Sequence, residues 1–329
     1  CMHRRNFGIC FLIAALFFLL GSTQVTAQEP AFSSPNDPLP IDPQVKMGTL
    51  DNGLRYFVRA NSRPENRAEL RLVVNAGSVL EDDDQRGLAH FLEHMAFNGT
   101  ANFEKQALVD YLESIGMEFG PEVNAYTSFD ETVYMLQVPT DDPEILSTAL
   151  QILEDWAYRV TLEAEEVDKE RGVVIEEWRA GRGAMARMMD RQFPLIFQGS
   201  RYADRLVIGD VEVLETFSQR TLRRFYEDWY RPDLMAVVAV GDFDPAAMEG
   251  TIREHFSRVP EKAGARPRVT YDLPPHRETH YAIASDAEAT SSQVSVLYKQ
   301  PLKEHGTLEG YRQLLVDNLF TGMLNARLF

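Results

Sequence analysis

Two histidines stand four residues apart, His90 and His94, in a stretch over 87–99 whose sequence is GLAHFLEHMAFNG. The surrounding apolar residues predict a short helix that ends at Asn-Gly, with both imidazoles on one face. Two imidazoles one turn apart can bind one metal ion. Glu93 lies on the same flank, so its carboxylate can reach a metal-bound water without being a ligand. The order H-x-x-E-H therefore predicts a hydrolytic metal centre; the alternative is a pair of ordinary histidines on an amphipathic helix.

A catalytic zinc site usually takes three protein ligands, so one more ligand is needed. The remaining histidines are isolated in the sequence, and we expect them at the surface: His255, His276, His280 and His305. A Glu-rich helical segment offers Glu170 and Glu177, seven residues apart and so on one face. Either one could ligate zinc while the other forms a hydrogen bond or balances charge nearby. The segment could also be a salt-bridged solvent face.

The elements that position these residues are a mixture of strands and helices. Alternating apolar residues predict a hairpin over 46–58 and further strands at 69–76, 123–128, 132–138 and 234–240. Helical periodicity is found over 103–116, 143–158, 164–190 and 245–256. The order of elements is not a strict βαβ alternation. We therefore predict an α+β domain with helices packed on one side of a largely antiparallel sheet.

The acidic run 81–84 comes directly before the predicted metal helix. Its carboxylates could cap that helix, but a solvated loop is the favoured interpretation. At the other end of the chain, 279–284 and 294–298 resemble strands, and 308–328 resembles a helix.

The first 27 residues have the pattern of a secretory signal peptide. A basic start is followed by 14 apolar residues over 7–20 and by Val25-Thr26-Ala27, which is typical of a cleavage site. A Pro-rich linker is expected over 28–44, a metal-binding domain over 45–259, a second linker over 260–277 and an incomplete second domain over 278–329. Export across the inner membrane of a bacterium to the periplasm is expected, without stable membrane insertion after cleavage of the leader.

Composition excludes several classes of function. Both cysteines, Cys1 and Cys10, fall within the leader, which excludes disulfides, zinc–thiolate sites and cysteine catalysis from the mature chain. The net charge is -17, and removal of two leader arginines gives -19. Because no basic stripe offsets this charge, we expect no nucleic acid partner.

Four segments together resemble the pitrilysin family of metallopeptidases, particularly its bacterial periplasmic members. They are 87–100, the run NAYTS at 124–128, the run ERGVVIEE at 170–177 and the pattern WYRP at 229–232. The resemblance extends over about 45–260. It implies an inverzincin peptidase domain that hydrolyses peptides or small unfolded proteins.

The resemblance also implies roles for individual residues. One zinc ion would be bound by His90, His94 and Glu177, with Glu93 as general base and Glu170 as a supporting catalytic acid. The separation of His94 and Glu177 is 83 residues, longer than the usual interval of the family, so Glu170 is the alternative third ligand. The segment Asn124, Ala125 and Tyr126 would bind substrate backbone at a sheet edge.

Family members combine several homologous domains, so the resemblance implies that this chain needs further domains or a partner subunit for activity. Two other functions remain open from the sequence. One is a catalytically inactive scaffold or binding subunit of the same fold, and the other is a different zinc amide hydrolase.

Overall fold

A six-stranded mixed sheet forms the centre of the structure. The computed structural model describes residues 34–118 and 120–328, so the predicted leader lies outside the described residues. The strands are β1 (Val45–Thr49), β2 (Arg55–Ala60), β3 (Arg67–Val74), β4 (Val123–Thr127), β5 (Thr132–Pro139) and β6 (Met235–Gly241). Their spatial order is β1-β2-β6-β3-β5-β4. All neighbours pair antiparallel except β2 and β6, which are parallel.

The helices lie mostly between β3 and β6 in the chain. Those of the described residues are α1 (Leu88–Ala96), α2 (Lys105–Ser114), α3 (Pro143–Tyr158), α4 (Ala164–Ala180), α5 (Ala184–Ile196), α6 (Val211–Thr216), α7 (Gln219–Trp229), α8 (Pro245–Phe256) and α9 (Leu308–Leu328). Residues 41–299 form one compact unit, and 34–40 with 300–328 form another. None of the described helices is long and apolar enough to cross a bilayer.

One face of the sheet is packed against helices. In β3 every second residue, from Ala68 to Val74, is buried, and the residues between them are partly exposed. From Tyr134 onward β5 shows the same alternation, with Tyr134 and Leu136 fully buried. Amphipathic α3 covers this face with side chains that include Trp156. The predicted α+β class, with helices on one side of a largely antiparallel sheet, is confirmed.

Two predictions of secondary structure need comment. The helical pattern over 164–190, which Gly172, Gly181 and Gly183 interrupt in the sequence, forms two helices: the chain breaks at Gly181-Arg182-Gly183 between α4 and α5, whereas Gly172 lies within α4. The strands at 279–284 and 294–298 are not formed. Strands require pairing partners, and within the described residues these segments have none; Ile283 and Val294 are 90% and 94% exposed.

The region between 200 and 230 contains two helices that the sequence analysis missed. α7 is rich in arginine, but it buries Leu222, Phe225, Tyr226 and Trp229 at the spacing of one helical face. This periodicity was available in the sequence.

The predicted surface position of His255 is also wrong. His255 is buried, and its Nδ1 lies 2.8 Å from a carboxylate oxygen of Glu154, which is itself fully buried.

The buried tryptophans provide a test of how α1 is held. The indole N–H of Trp156 donates to the Ala96 carbonyl at 2.8 Å, whereas that of Trp229 has no partner among the described residues. Trp156→Phe should therefore lower the free energy of unfolding by about 1–3 kcal/mol more than Trp229→Phe. Urea unfolding of both variants measures the difference. Equal losses would show that the Trp156 hydrogen bond does not stabilise the C-terminus of α1.

Candidate metal centre

Helix α1 presents its polar residues on one face because its apolar residues are buried in the core. Leu88, Phe91, Leu92 and Met95 are at most 1% exposed, which leaves His90, Glu93 and His94 on the remaining face. Gly87 precedes the helix with a φ of 100°, in the left-handed region that favours glycine. A Cβ there would lie 2.8 Å from the Cα of Gly209, so only glycine fits this entry to the helix.

Three potential ligands converge between α1 and α4. The Nε2 atoms of His90 and His94 are 3.2 Å apart, and Glu177 Oε2 lies 3.7 Å and 3.4 Å from them. One donor atom from each of the three residues lies within 4.8 Å of the others. Two imidazoles and one carboxylate form the donor set of several catalytic zinc sites, so these residues fit zinc.

Glu170 contacts the other side of the His94 ring. Its Oε1 lies 2.8 Å from His94 Nδ1, and its Oε2 accepts a hydrogen bond of 2.8 Å from the Asn98 amide. A carboxylate at Nδ1 fixes the proton there and leaves Nε2 free to bind a metal. Burial lowers the pKa of His94, but the hydrogen bond and charge of Glu170, with the charges of Glu177 and Glu93, raise it overall.

His90 is held as a neutral imidazole. Burial, assisted by the nearby His94, lowers the pKa of His90 to about 4. Its Nδ1 is buried without a hydrogen-bond partner among the described residues. A neutral imidazole with an available Nε2 is the form that binds metal ions.

Glu93 does not belong to the ligand group, and it bonds to the sheet instead. Its Oε2 accepts a hydrogen bond of 2.5 Å from the Thr127 hydroxyl at the end of β4. Burial raises the pKa of Glu93, and the Thr127 hydrogen bond and the charge of His94 only partly oppose this rise. A carboxylate with a raised pKa, beside the ligand group, has the properties of a general base.

Glu81 caps the N-terminus of α1. Its carboxylate is fully buried and accepts hydrogen bonds from Gly87 N at 3.0 Å and Ala89 N at 2.8 Å. The backbone carbonyl of Glu81 accepts a further hydrogen bond of 3.0 Å from Arg205 Nε. Glu81 therefore caps α1 and stabilises the helix that carries the two histidines. The expected solvated loop is wrong for this residue, and the helix-capping alternative is correct.

The residues expected to bind substrate lie on an edge strand. β4 is the last strand in the sheet order and pairs only with β5 among the described residues. Asn124 and Tyr126 are exposed, and Ala125 packs against the core. The Asn124 side chain accepts a hydrogen bond from the Ala125 N–H at 2.9 Å. The open edge therefore lies next to the residue that contacts Glu93.

The structure brings together most of the residues that the sequence singled out. His90, His94 and Glu177 form one group, Glu170 contacts His94, and Glu93 lies beside them on α1. Three supporting residues had not been assigned a site role: Asn98, Thr127 and Glu81. Asn98 and Thr127 lie inside the recognised segments, but sequence spacing does not show which carboxylate each of them contacts.

The chain is similar to known proteins both in sequence and in fold. Residues 56–191 match the model described as insulinase (peptidase family M16), and 216–329 match the one described as peptidase M16 inactive domain. The zinc protease PQQL-like protein of Arabidopsis thaliana is 44% identical over 86% of this chain and 30% of its own length. A probable zinc protease PqqL from Haemophilus influenzae is 36% identical over 95% of this chain and 34% of its own.

Among solved structures, the periplasmic protease PqqL from Escherichia coli superposes with a TM-score of 0.68. The two are 39% identical, and the match covers 72% of this chain and 26% of that one. The chain thus spans about a third of the length of the curated relatives named above.

Stability should depend on pH through Glu81. Burial raises the pKa of the Glu81 carboxyl group from 4.5 to about 8. The hydrogen bonds from its two N–H donors and the charges of Arg205 and Arg201 lower the pKa, but by less than burial raises it. Between about pH 4.5 and 8 the folded chain therefore keeps a proton on Glu81 that the unfolded chain releases. The free energy of unfolding falls as the pH rises through this range. Glu81→Gln should make the fall in unfolding free energy between about pH 5 and 8 shallower, by at most about 1.4 kcal/mol per pH unit. Chemical denaturation across this range measures the slope, with exposed Glu113→Gln as the control. An unchanged slope would contradict the prediction.

Zinc affinity should distinguish Glu177 from Glu170 on α4. Glu177→Gln removes a donor atom of the group and should weaken zinc binding by at least about 100-fold, whereas Glu170→Gln, which affects only the orientation of His94, should cost about 10- to 100-fold. Glu176→Gln is the matched control, because Glu176 is exposed and pairs with Arg179 instead. Competition with a chelator measures all three. A larger loss in Glu170→Gln than in Glu177→Gln would reverse the assignment of the third ligand.

Proposed function

The chain belongs to the insulinase family of peptidases, peptidase family M16, and from this premise we propose that it carries the catalytic centre of an exported zinc endopeptidase. The observation that carries the proposal is the convergence of His90, His94 and Glu177 within 4.8 Å. Its substrates are peptides or small unfolded proteins. The similar PqqL from Escherichia coli is a periplasmic protease, which supports a periplasmic location for this chain.

We assign one zinc ion to His90, His94 and Glu177. When bound, zinc supplies a water of lowered pKa and polarises the carbonyl of the scissile peptide bond. Glu170 keeps the proton of His94 on Nδ1, since its carboxylate lies 2.8 Å from that atom. Asn98 in turn holds Glu170 through the second carboxylate oxygen. His90 needs no deprotonation at neutral pH, because burial lowers its pKa to about 4.

Glu93 is the proposed general base. Its carboxylate takes a proton from the attacking water and passes it to the nitrogen of the leaving amine as the C–N bond breaks. Its raised pKa, caused by burial, improves its capacity to accept that proton. The hydrogen bond from Thr127 holds one carboxylate oxygen, so the other oxygen is available for this transfer.

Asn124, Ala125 and Tyr126 form the proposed binding edge for the substrate backbone. A peptide in extended conformation can add to the open side of β4 as a further strand, which uses backbone hydrogen bonds rather than side-chain identity. This mode suits an enzyme for varied unfolded peptides. The net charge of -17 argues against nucleic acid as a partner.

We propose that turnover needs more protein than these 329 residues provide. The chain spans 30% and 34% of the length of the two curated relatives, and this difference supports a requirement for further domains or a partner subunit. The chain alone should bind zinc and show weak or no peptide cleavage. Addition of the remaining region should restore cleavage.

The general base can be tested separately from metal binding. In the full-length protein that contains this chain, Glu93→Gln should retain zinc and lower kcat by about 10²- to 10⁴-fold, because the proton acceptor is lost while the ligands remain. Metal analysis and cleavage of a fluorogenic peptide measure the two effects. Exposed Glu104→Gln, next to α2, is the control and should be unchanged. Full activity of Glu93→Gln would exclude Glu93 as the base.

A further inference from the structure

Thr127 holds the Glu93 carboxylate from outside the metal helix. Its hydroxyl lies 2.5 Å from Glu93 Oε2, although the two residues are 34 positions apart in sequence. Among residues 34–118 and 120–328, no other group donates a hydrogen bond to this carboxylate. The orientation of Glu93 thus depends on one contact with β4.

A second threonine fixes the direction of this hydrogen bond. Thr132 lies opposite Thr127 on β5, with the two hydroxyl oxygens 3.5 Å apart. The Thr132 hydroxyl donates its proton to the Ala76 carbonyl at 3.0 Å. A hydroxyl has one proton, so Thr132 can only accept from Thr127. Glu93 Oε2 is the nearer acceptor, and the Thr127 proton therefore points to Glu93.

The backbone of Thr127 faces the open edge of the sheet. Ser128 N donates to Glu131 O, and Gln137 N donates to Glu122 O, both at 2.8 Å. Because hydrogen-bonded and non-hydrogen-bonded pairs alternate in an antiparallel ladder, Ala125 and Thr127 are among the non-hydrogen-bonded positions of β4. Their N–H and C=O groups point away from β5, where an added strand would pair.

We infer that Thr127 is a positioning residue that couples docking of a peptide strand on β4 to the orientation of Glu93. The inference rests on the proposed function and deepens it. A docked strand restrains the Thr127 backbone, and the same residue restrains Glu93 through its hydroxyl. Binding energy from a remote part of the substrate is thereby used to order the reacting groups, which raises kcat rather than only lowering KM.

This coupling sets a requirement on the substrate. A productive peptide is extended and has a free backbone N–H and C=O opposite Thr127. Loss of that pairing, by truncation or by N-methylation of the one amide, should lower kcat even when the scissile bond and its neighbours are unchanged.

Two variants of the full-length protein test the coupling. Thr127→Val keeps the shape of the side chain and removes the hydroxyl, and Thr127→Ser keeps the hydroxyl. For a peptide long enough to pair with β4, we expect kcat of Thr127→Val to fall about 10- to 100-fold, with KM and zinc content within threefold of the wild type; Thr127→Ser should retain kcat within threefold. A truncated peptide should lose kcat in the wild type and lose little in Thr127→Val. A Thr127→Val enzyme with wild-type kcat would overturn the inference.

A structural measurement separates this inference from the proposed function. Crystals of the wild type and of Thr127→Val are grown with a peptide in which the scissile amide is reduced and cannot be cleaved. We expect the peptide on β4 in both, with Glu93 in one rotamer in the wild type and in several in Thr127→Val. Equal order of Glu93 in both would overturn the inference, whatever the activity. If the wild type cleaves no peptide but Glu93 still depends on the hydroxyl, the proposed function fails and the coupling stands.

Discussion

The contact between His94 and Glu170 joins the two helices on which the site depends. The residues are 76 positions apart, and their side chains meet at 2.8 Å because α1 and α4 pack together. This contact sets the tautomer of His94 and also fixes how α4 is aligned along α1. Glu177, two turns further along α4, is consequently brought to the Nε2 atoms of both histidines. A shift of α4 by one turn would separate Glu177 from them, so the proposed metal centre requires this alignment.

The position of α1 is determined by contacts at both of its ends. Glu81 binds the free N–H groups at the N-terminus, and Trp156 donates to the Ala96 carbonyl at the C-terminus. Both partners are buried, so an unpaired group in either place would carry a full desolvation cost. The apolar side of α1 packs in the core between these two ends. The precision of the ligand group is therefore a property of the whole domain rather than of the H-x-x-E-H segment.

The sequence predicted the structure well where the apolar periodicity was strong and where the interacting residues are close together in the chain. Local patterns predicted the bounds of α3, α8 and α9 and the hairpin of β1 and β2. They also showed the four-residue spacing of His90 and His94. Long-range contacts did not follow, since nothing near Asn98 or Thr127 in the sequence shows which carboxylate each would contact. The strands predicted at 279–284 and 294–298 were wrong for a related reason. A strand is stable only when paired, and pairing is not a local property.

The charges around the two imidazoles support the proposed metal site. Three carboxylates, Glu93, Glu170 and Glu177, surround two imidazoles, and burial keeps His90 neutral. A proton on His94 offsets part of their charge, and the carboxylates raise the pKa of His94 accordingly. The charge of Glu177 also contributes to the raised pKa of Glu93. A divalent ion held by His90, His94 and Glu177 would supply positive charge in place of that proton. Glu170 would retain its hydrogen bond at Nδ1, since that side of the ring does not face the ion. The excess of negative charge among these side chains thus supports the proposed metal site. Glu93 lies outside the ligand group and has a raised pKa, so it is the proposed carboxylate for proton transfer.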